Sequence, residues 1–296
     1  MNALQECLLE VLLEFKRVCD ENNLEYFLDC GTLLGAVRHQ GFIPWDDDVD
    51  VCMPRKDYER LIELDKQGVF KEKFAFKHWD KTKNYIWGYG RLEDQRTTTI
   101  SSAFDWLKNS PLITNNRIAY KSGAGIDVFI LDGGGADKSL AKKHFSFLVR
   151  LDAYICFRYR KLSPQHKKFP KKIILRFLAL LSKNNLWINF LKWLYKYKIA
   201  KFPFDDKNSE LLGNIVQMEY PSMQCLYPKS VIYPLSEVSF EGHTFKAPAD
   251  TDMYLREMYG DYMQLPPEEE RTGHLPAYVN LDLPYEKFDY SMIEKA

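Results

Sequence analysis

The stretch "GFIPWDDDVDVCMPRKDY", Gly41 to Tyr58, sets Asp46, Asp47, Asp48 and Asp50 within five positions, with apolar residues on both sides. Like charges this close repel, and a fold gains from packing them only when something positive is held there. From Asp48 to Met53 polar and apolar residues alternate strictly, which predicts a β-strand. On a strand, alternate side chains share a face. Asp48 and Asp50 are therefore expected to point one way, with Val49 and Val51 in the core. Two carboxylates so placed clamp a divalent ion. Mg²⁺ suits them, because it takes one or two carboxylates and fills its other positions with water and substrate phosphate. Asp127, a lone acid inside "GIDVFILD" (Gly125 to Asp132), is the expected third ligand, on a neighbouring strand. Asp46 and Asp47 lack the flanking valines and read better as a solvated acidic turn. An EF-hand is excluded, since its sixth and twelfth positions need Gly and Glu, and Val51 and Asp57 stand there.

The 296 residues suffice for one large domain or two small ones. At 46% hydrophobic and 15% aromatic, the composition supports a sizeable core and is not that of a disordered chain. Six cysteines (Cys7, Cys19, Cys30, Cys52, Cys156, Cys225) show no C-x-x-C and no regular spacing, so they read as free thiols of a reducing compartment, without disulfide or zinc. "MNALQECLLEVLLEF" has no basic n-region and carries Glu6 and Glu10, so it does not read as a signal peptide. The best apolar run, Ile173 to Leu181, is short for a membrane span and contains Arg176. These features predict a cytoplasmic protein. Zero net charge conceals an asymmetry: Lys138 to Lys207 holds 18 Lys/Arg against 3 Asp, a net of +15, leaving 23 positive and 38 negative residues elsewhere. The expected organisation is a catalytic core over 1–136, a basic, aromatic-rich helical insert over 137–207, and a C-terminal part, 208–296, that completes the core and the active site.

Working outward from the acidic strand, Leu4, Leu8, Val11, Leu12, Phe15, Val18 and Cys19 recur at helical spacing and predict an amphipathic helix over 3–22. "EYFLDC" (25–30) reads as a strand, and "GTLLGAVR" (31–38) as a turn feeding a short helix that Pro44 stops. "RKDYERLIELD" after Pro54 reads as a helix; "FAFKHW", "YGRLEDQRTTTIS" and 125–132 read as strands, the last closed by Gly133–Gly135. "VSFEGHTFKAP" predicts a hairpin turning near Glu241–Gly242, and "ADTDMYLREMYG" a helix with an Asp cap and Gly260 at its end. "LPPEEERTGH" reads as a loop.

Gly31 and Thr32 follow a strand and open a helix. A backbone without Cβ lets phosphate approach, and the free N–H groups of the first turn attract it. Thr32 adds a hydroxyl. Arg38 and Arg91 are candidates to neutralise phosphate charge, or else surface arginines.

"DCGTLLGAVRHQGFIPWDDDVDVCMP" resembles the LicD family, which includes bacterial phosphocholine transferases and, more distantly, the fukutin-type ribitol-phosphate transferases. The family pattern is roughly G-T-L-L-G-x-x-R, a short gap, then I-P-W-D-D-D-x-D. Signatures run from about residue 26 to 132 and again from 238 to 274; the basic middle carries none. The resemblance implies an α/β (α+β) fold of the nucleotidyltransferase kind: a mixed sheet with flanking helices, here with the basic helical insert. Asp48, Asp50 and Asp127 take the places of its three Mg²⁺-binding acids, and Gly31 and Thr32 that of its phosphate turn. Arg271 and His274 match a C-terminal position of the family, and His274 is either a site residue or structural.

The implied reaction is Mg²⁺-dependent transfer of a substituted phosphoryl group from a CDP-linked donor, CDP-choline first, to a sugar hydroxyl of a cell-surface glycan or its lipid-linked precursor, such as lipopolysaccharide, teichoic acid or capsule. Two metal ions are expected, with Mn²⁺ as a substitute, and Asp127 accepts or orients the acceptor proton. Choline asks for aromatic faces; Trp79, Tyr85, Trp87, Tyr89, Tyr254 and Tyr259 are available, with core packing as the alternative for each. Glycerol or ribitol phosphate would need hydrogen bonds instead. Lysines interleaved with Trp, Phe, Tyr and Leu in 138–207 suit a helix lying on an anionic membrane at the inner face of the cell membrane, or a plain helical subdomain with a solvated basic face. No nucleic-acid-reading motif accompanies the charge. The rivals are a metal-dependent glycosyltransferase, a nucleotidyltransferase releasing pyrophosphate, and a non-catalytic metal- or glycan-binding module.

Overall fold

The computed structural model describes residues 1–82, 85, 87–100, 121–156, 181, 184–204, 209–219, 226–289, 291 and 292. The amphipathic repeat at the N-terminus forms helix α1 (Ala3–Asn22). Asn2 and Gln5 cap it reciprocally, its apolar stripe from Leu8 to Cys19 is buried, and Asn23 ends it in the left-handed region at φ 54°. Strand β1 (Phe27–Leu28) follows, then helix α2 (Cys30–His39), strand β2 (Asp50–Pro54) and helix α3 (Arg55–Lys66). The strand expected over 25–30 is this short because Asp29 turns the chain: its carboxylate accepts the Cys30 N–H and caps α2.

Strands β3 (Phe74–Lys77) and β4 (Gly90–Asp94) pair antiparallel. The long run expected from Tyr89 onward divides in two. A turn over 95–97 separates β4 from β5 (Thr98–Ile100), which leaves the main sheet and pairs with β11 (Tyr278–Asn280). Asp94 drives the break, accepting from the Arg96 N–H and side chain.

Strand β6 (Gly125–Gly135) is the axis of a seven-stranded mixed sheet. Strand order is β1-β2-β6-β4-β3, and β7 (Leu211–Asn214) and β8 (Tyr227–Pro228) extend from the far half of β6. Among the described residues only β2 and β6 pair in parallel. Every β6 residue but Asp127 is buried, the pattern of a strand covered on both faces. The glycines do not close it as expected; the strand runs through Gly133–Gly135. A Cβ on Gly133 would sit 2.4 Å from the Phe202 carbonyl oxygen, so the close pass of that segment requires glycine there.

Helices α4 (Lys138–Cys156) and α5 (Asn185–Ile199) are the described part of the basic segment. They share a core of their own, with Phe145, Leu148, Leu151 and Ile155 facing Ile188, Leu191, Tyr195 and Ile199. Phe145 packs against Gly134 and Gly213, which fixes the pair to the sheet. The apolar run Ile173 to Leu181 lies, but for its last residue, outside the described residues, as do Cys225 and 101–120. No described helix is long and apolar enough to cross a membrane. Short helices α6 (Ile215–Glu219) and α7 (Lys229–Ile232) lead to the predicted hairpin, β9 (Ser236–Phe240) with β10 (His243–Ala247), turning at Glu241 (φ 49°) and Gly242 (φ 77°). Helix α8 (Thr251–Tyr259) is capped by Asp250 and ends at Gly260.

Candidate active site

The pairing of β2, β6 and β4 lines up three charged residues. Asp50 is the register partner of Asp127, and Asp127 is the partner of Arg91. Laterally paired residues project from the same face of a sheet. Asp50, Asp127 and Arg91 thus form one row across three strands. The Asp127 N–H donates to Val49 O at 2.8 Å, which locks the register where the acids meet. Asp48 comes off the start of β2 within range of both, and its charge pushes up the carboxyls of Asp50 and Asp127.

Their electrostatics follow from crowding. Burial first, then Asp48 and Asp127, hold the Asp50 carboxyl well above the usual range. Among the described residues that carboxylate makes no hydrogen bond; its main chain is what is tied down, with Asp50 N–H donating to Thr32 Oγ1 at 2.9 Å and Asp50 O accepting from Asp29 N–H at 3.0 Å. Burial likewise raises Asp127, although an ion pair with Arg91 and a hydrogen bond with Tyr89 pull it back. Arg91 also reaches Glu93 at 3.2 Å, so it is committed to two carboxylates.

Thr32 is buried and its hydroxyl anchors β2. Gly31 lies beside the acidic loop; a Cβ there would come within 2.8 Å of Asp46 Oδ2. Helix α2 therefore aims its first turn at the carboxylates, a turn able to receive an anion once the acids hold a cation.

The solvated acidic turn expected at Asp46 and Asp47 is not what forms. Both are half-buried. The Asp46 carboxyl is pushed up to about 8 by burial and by Asp48, with which it shares a hydrogen bond. Asp47 accepts the backbone N–H groups of His274 and Leu275, each at 2.8 Å, and its carboxyl is held low by His274 and these bonds against the upward push of burial. Alternation along 46–50 carries no sign of a loop returning more than two hundred residues later. Among the described residues, the group whose ligand atoms all lie within 4.8 Å of one another is Asp46, Asp47 and His274.

His274 stands at this rim. Its Nδ1 lies 3.1 Å from Asp48 Oδ2 and 3.5 Å from Asp47 Oδ1, and these carboxylates raise it to about 9. Arg38 donates to Tyr262 O at 2.8 Å, and Arg271 to Pro266 O at 2.9 Å while lying over the Trp45 ring. The two guanidiniums are close enough for Arg271 to lower Arg38, after burial. Arg38 and Arg271 thus gather together, apart from Arg91 in its own row.

The six aromatic candidates separate. Tyr85, Trp87 and Tyr89 form a chain of rings, 5.3 Å and then 6.5 Å between centroids, that ends at Asp127 through Tyr89. Tyr259 lies within electrostatic reach of Asp50 and Asp46. Trp79 packs on Tyr195 of α5. Tyr254 is core: fully buried, stacked on Tyr227 at 4.1 Å, and bonded to Asp29 at 2.7 Å.

Four other carboxyls (Asp48, Asp127, Asp29 and Asp46) bear on Asp50, and of these Asp29 is satisfied by donors of its own. A hard divalent cation fits that donor set, because it neutralises oxygens that otherwise repel.

Residues 23–123 match the LicD/FKTN/FKRP nucleotidyltransferase domain. Over 274 residues the chain is 30% identical to the lipopolysaccharide cholinephosphotransferase LicD of Haemophilus influenzae, covering 90% of this chain and 92% of that protein. The chain belongs to the LicD family. A shorter likeness, 44% identity over 57 residues, runs to an uncharacterized protein of Rickettsia prowazekii, covering 19% of this chain and 21% of that one. An uncharacterized protein of Caenorhabditis elegans is 27% identical over 139 residues, 46% of this chain and 32% of that protein.

Family membership makes this a LicD-type phosphotransferase. Two residues of the LicD-like site escaped the sequence reading. Asp47 clasps the C-terminal loop. Asp29, fully buried, accepts from Cys30 N–H, Tyr254 Oη, Gln217 Nε2 and Asn214 Nδ2, and so ties α2, α6, α8 and β7 together behind the acids. Only its place before a glycine-rich helix start hinted at a cap.

Proposed function

We propose that this LicD-family protein transfers phosphocholine from CDP-choline to a sugar hydroxyl of a cell-surface glycan of the lipopolysaccharide kind, working at the cytoplasmic side of the membrane. The single observation that carries the reading is the register pairing of Asp50 with Asp127, with Asp48 beside them. Likeness to a lipopolysaccharide cholinephosphotransferase over nearly the whole chain supplies the substrate class.

Asp48, Asp50 and Asp127 would hold Mg²⁺. Bound there, the ion neutralises phosphate charge and stabilises the leaving oxygen. The first turn of α2 at Gly31 receives donor phosphate, and Arg38 and Arg271, the latter over Trp45, supply positive charge. Asp127 accepts or orients the proton of the attacking sugar hydroxyl. A new bond forms between that oxygen and the choline-bearing phosphorus; the bond to the CMP oxygen breaks, and CMP departs. Trp87, Tyr89 and Tyr259 offer ring faces beside the acids for a quaternary ammonium.

The test is product analysis with CDP-choline, Mg²⁺ and a deacylated lipopolysaccharide acceptor. CMP release with phosphocholine on the glycan supports the proposal. UDP released from a UDP-sugar, or pyrophosphate from an NTP, rejects it in favour of a glycosyltransferase or nucleotidyltransferase. A thermal-shift screen of CDP-choline, CDP-glycerol, CDP-ribitol and UDP-sugars ranks the donors independently, since a ligand stabilises in proportion to its occupancy.

A further inference from the structure

Helix α5 (Asn185–Ile199) buries one face and leaves another bare. Ile188, Leu191, Tyr195 and Ile199 pack on α4. On the opposite side Leu186, Phe190, Trp193 and Tyr197 recur every three or four residues and are 78%, 46%, 58% and 61% exposed. This is a second apolar stripe, at helical spacing, facing solvent. Its rings are ordered against one another: Trp187, Phe190, Trp193 and Tyr197 stack in series at 5.6, 5.9 and 5.6 Å between centroids. Scattered surface apolar residues need no explanation, but a continuous row of this size on one helix does.

The charge beside the row points to its occupant. Helix α5 contains Lys192, Lys196 and Lys198 and no acid. Helix α4 adds Lys138, Lys142, Lys143 and Arg150 against a single Asp152, and exposes Leu140, Phe147 and Tyr154 at seven-residue spacing. Lys198 Nζ lies 5.4 Å from the Phe147 ring centroid, so the two helices' outer faces adjoin there. Trp and Tyr rings seat at a bilayer's headgroup level, and lysines reach from an apolar face to anionic headgroups. A helix 15 residues long lies in that interface rather than spanning it.

We propose that the outer face of α5, with the basic edge of α4, docks this protein on an anionic lipid surface. The same helix donates from Lys192 to Trp79 O at 3.1 Å and from Lys196 to Asp80 at 3.0 Å. The segment so held leads directly to the Tyr85–Tyr89 rings beside Asp127. The lipid contact stands on the helix face alone and does not depend on the transfer chemistry.

The full chain is sedimented with vesicles of phosphatidylcholine alone and with vesicles containing about a third phosphatidylglycerol. The expected result is at least a tenfold larger bound fraction on the anionic vesicles, lost in high salt. Quenching of tryptophan emission by brominated lipid is expected to weaken in Trp193→Phe. Phe190→Ser/Trp193→Ser/Tyr197→Ser should lower binding about tenfold while retaining the melting temperature and the rate on a water-soluble acceptor. Negligible binding to both vesicles, equal binding to both, or binding unchanged by the triple substitution would overturn the proposal. So would a concentration-dependent dimer abolished by the same substitutions, which would assign the stripe to a second copy of this chain.

Discussion

Two groups of buried carboxylates in this molecule are treated in opposite ways. Asp132, five residues beyond Asp127 on β6, is gripped by the Arg55 fork at 2.5 and 2.8 Å. Asp29 collects donors from four other residues, and Glu14 takes the Arg17 guanidinium and the Lys71 N–H. Asp50, by contrast, has like charges for neighbours and no donor to its carboxylate among the described residues. A matched carboxylate contributes to the fold through its partners. A carboxylate left unmatched among like charges, as Asp50 is, costs stability and is understandable as a receiver of something positive. Structural and chemical acids can therefore be told apart by who their neighbours are, although depth of burial is similar.

The largest effect that would break this comparison concerns Asp50. Asp50→Asn should reduce phosphocholine transfer by about a thousandfold or more, with the melting temperature unchanged or higher. A folded variant that keeps its rate would put the acid row on the structural side. A paired sign of the same division is that added Mg²⁺ should raise the melting temperature of the wild type and do so much less in Asp50→Asn.

On the other side, Asp132→Ala should cost about 3 kcal/mol in denaturant unfolding, because it strands a largely buried Arg55. Asp29→Ala comes next, at about 2 kcal/mol, from the lost cap and the donors of Tyr254 and Gln217 left unmatched. Stability losses smaller than that of Asp50→Asn would erase the distinction.

Glu14 sharpens it through pH. Burial pushes its carboxyl up, but Arg17 and Lys71 outweigh that and leave it below 4.5 in the folded state. Its stabilisation is then full above 4.5 and disappears as the pH falls through the lower folded value. Glu14→Gln should cost about 1 kcal/mol at pH 7, a cost that shrinks toward zero as the pH falls through the lowered folded value, as read from unfolding curves recorded across the acid range.

Much of the acid row was legible in the sequence because a strand has a period of two. The valines at 49 and 51 and the apolar flanks of Asp127 already placed those acids on one face, and the parallel pairing of β2 with β6 then aligned them. Glu241–Gly242 and Asp250 likewise carry local signals that the hairpin and α8 obey. What escaped were contacts between distant parts of the chain. Nothing near Asp47 announces the backbone of 274–275, and nothing near Tyr254 announces Asp29. The Asp94 turn that splits β4 from β5 was hidden in a run of strand-forming threonines. The outer stripe of α5 was visible only as a mixture of lysines and rings, because periodicity alone does not say which of two apolar faces a neighbour will cover.

The clasp between Asp47 and the N–H groups of His274 and Leu275 joins residues 227 and 228 positions apart. The acidic loop is synthesised well before its fastener. A chain lacking residues 274–275 therefore keeps its acidic loop but loses the contact that closes the rim around it.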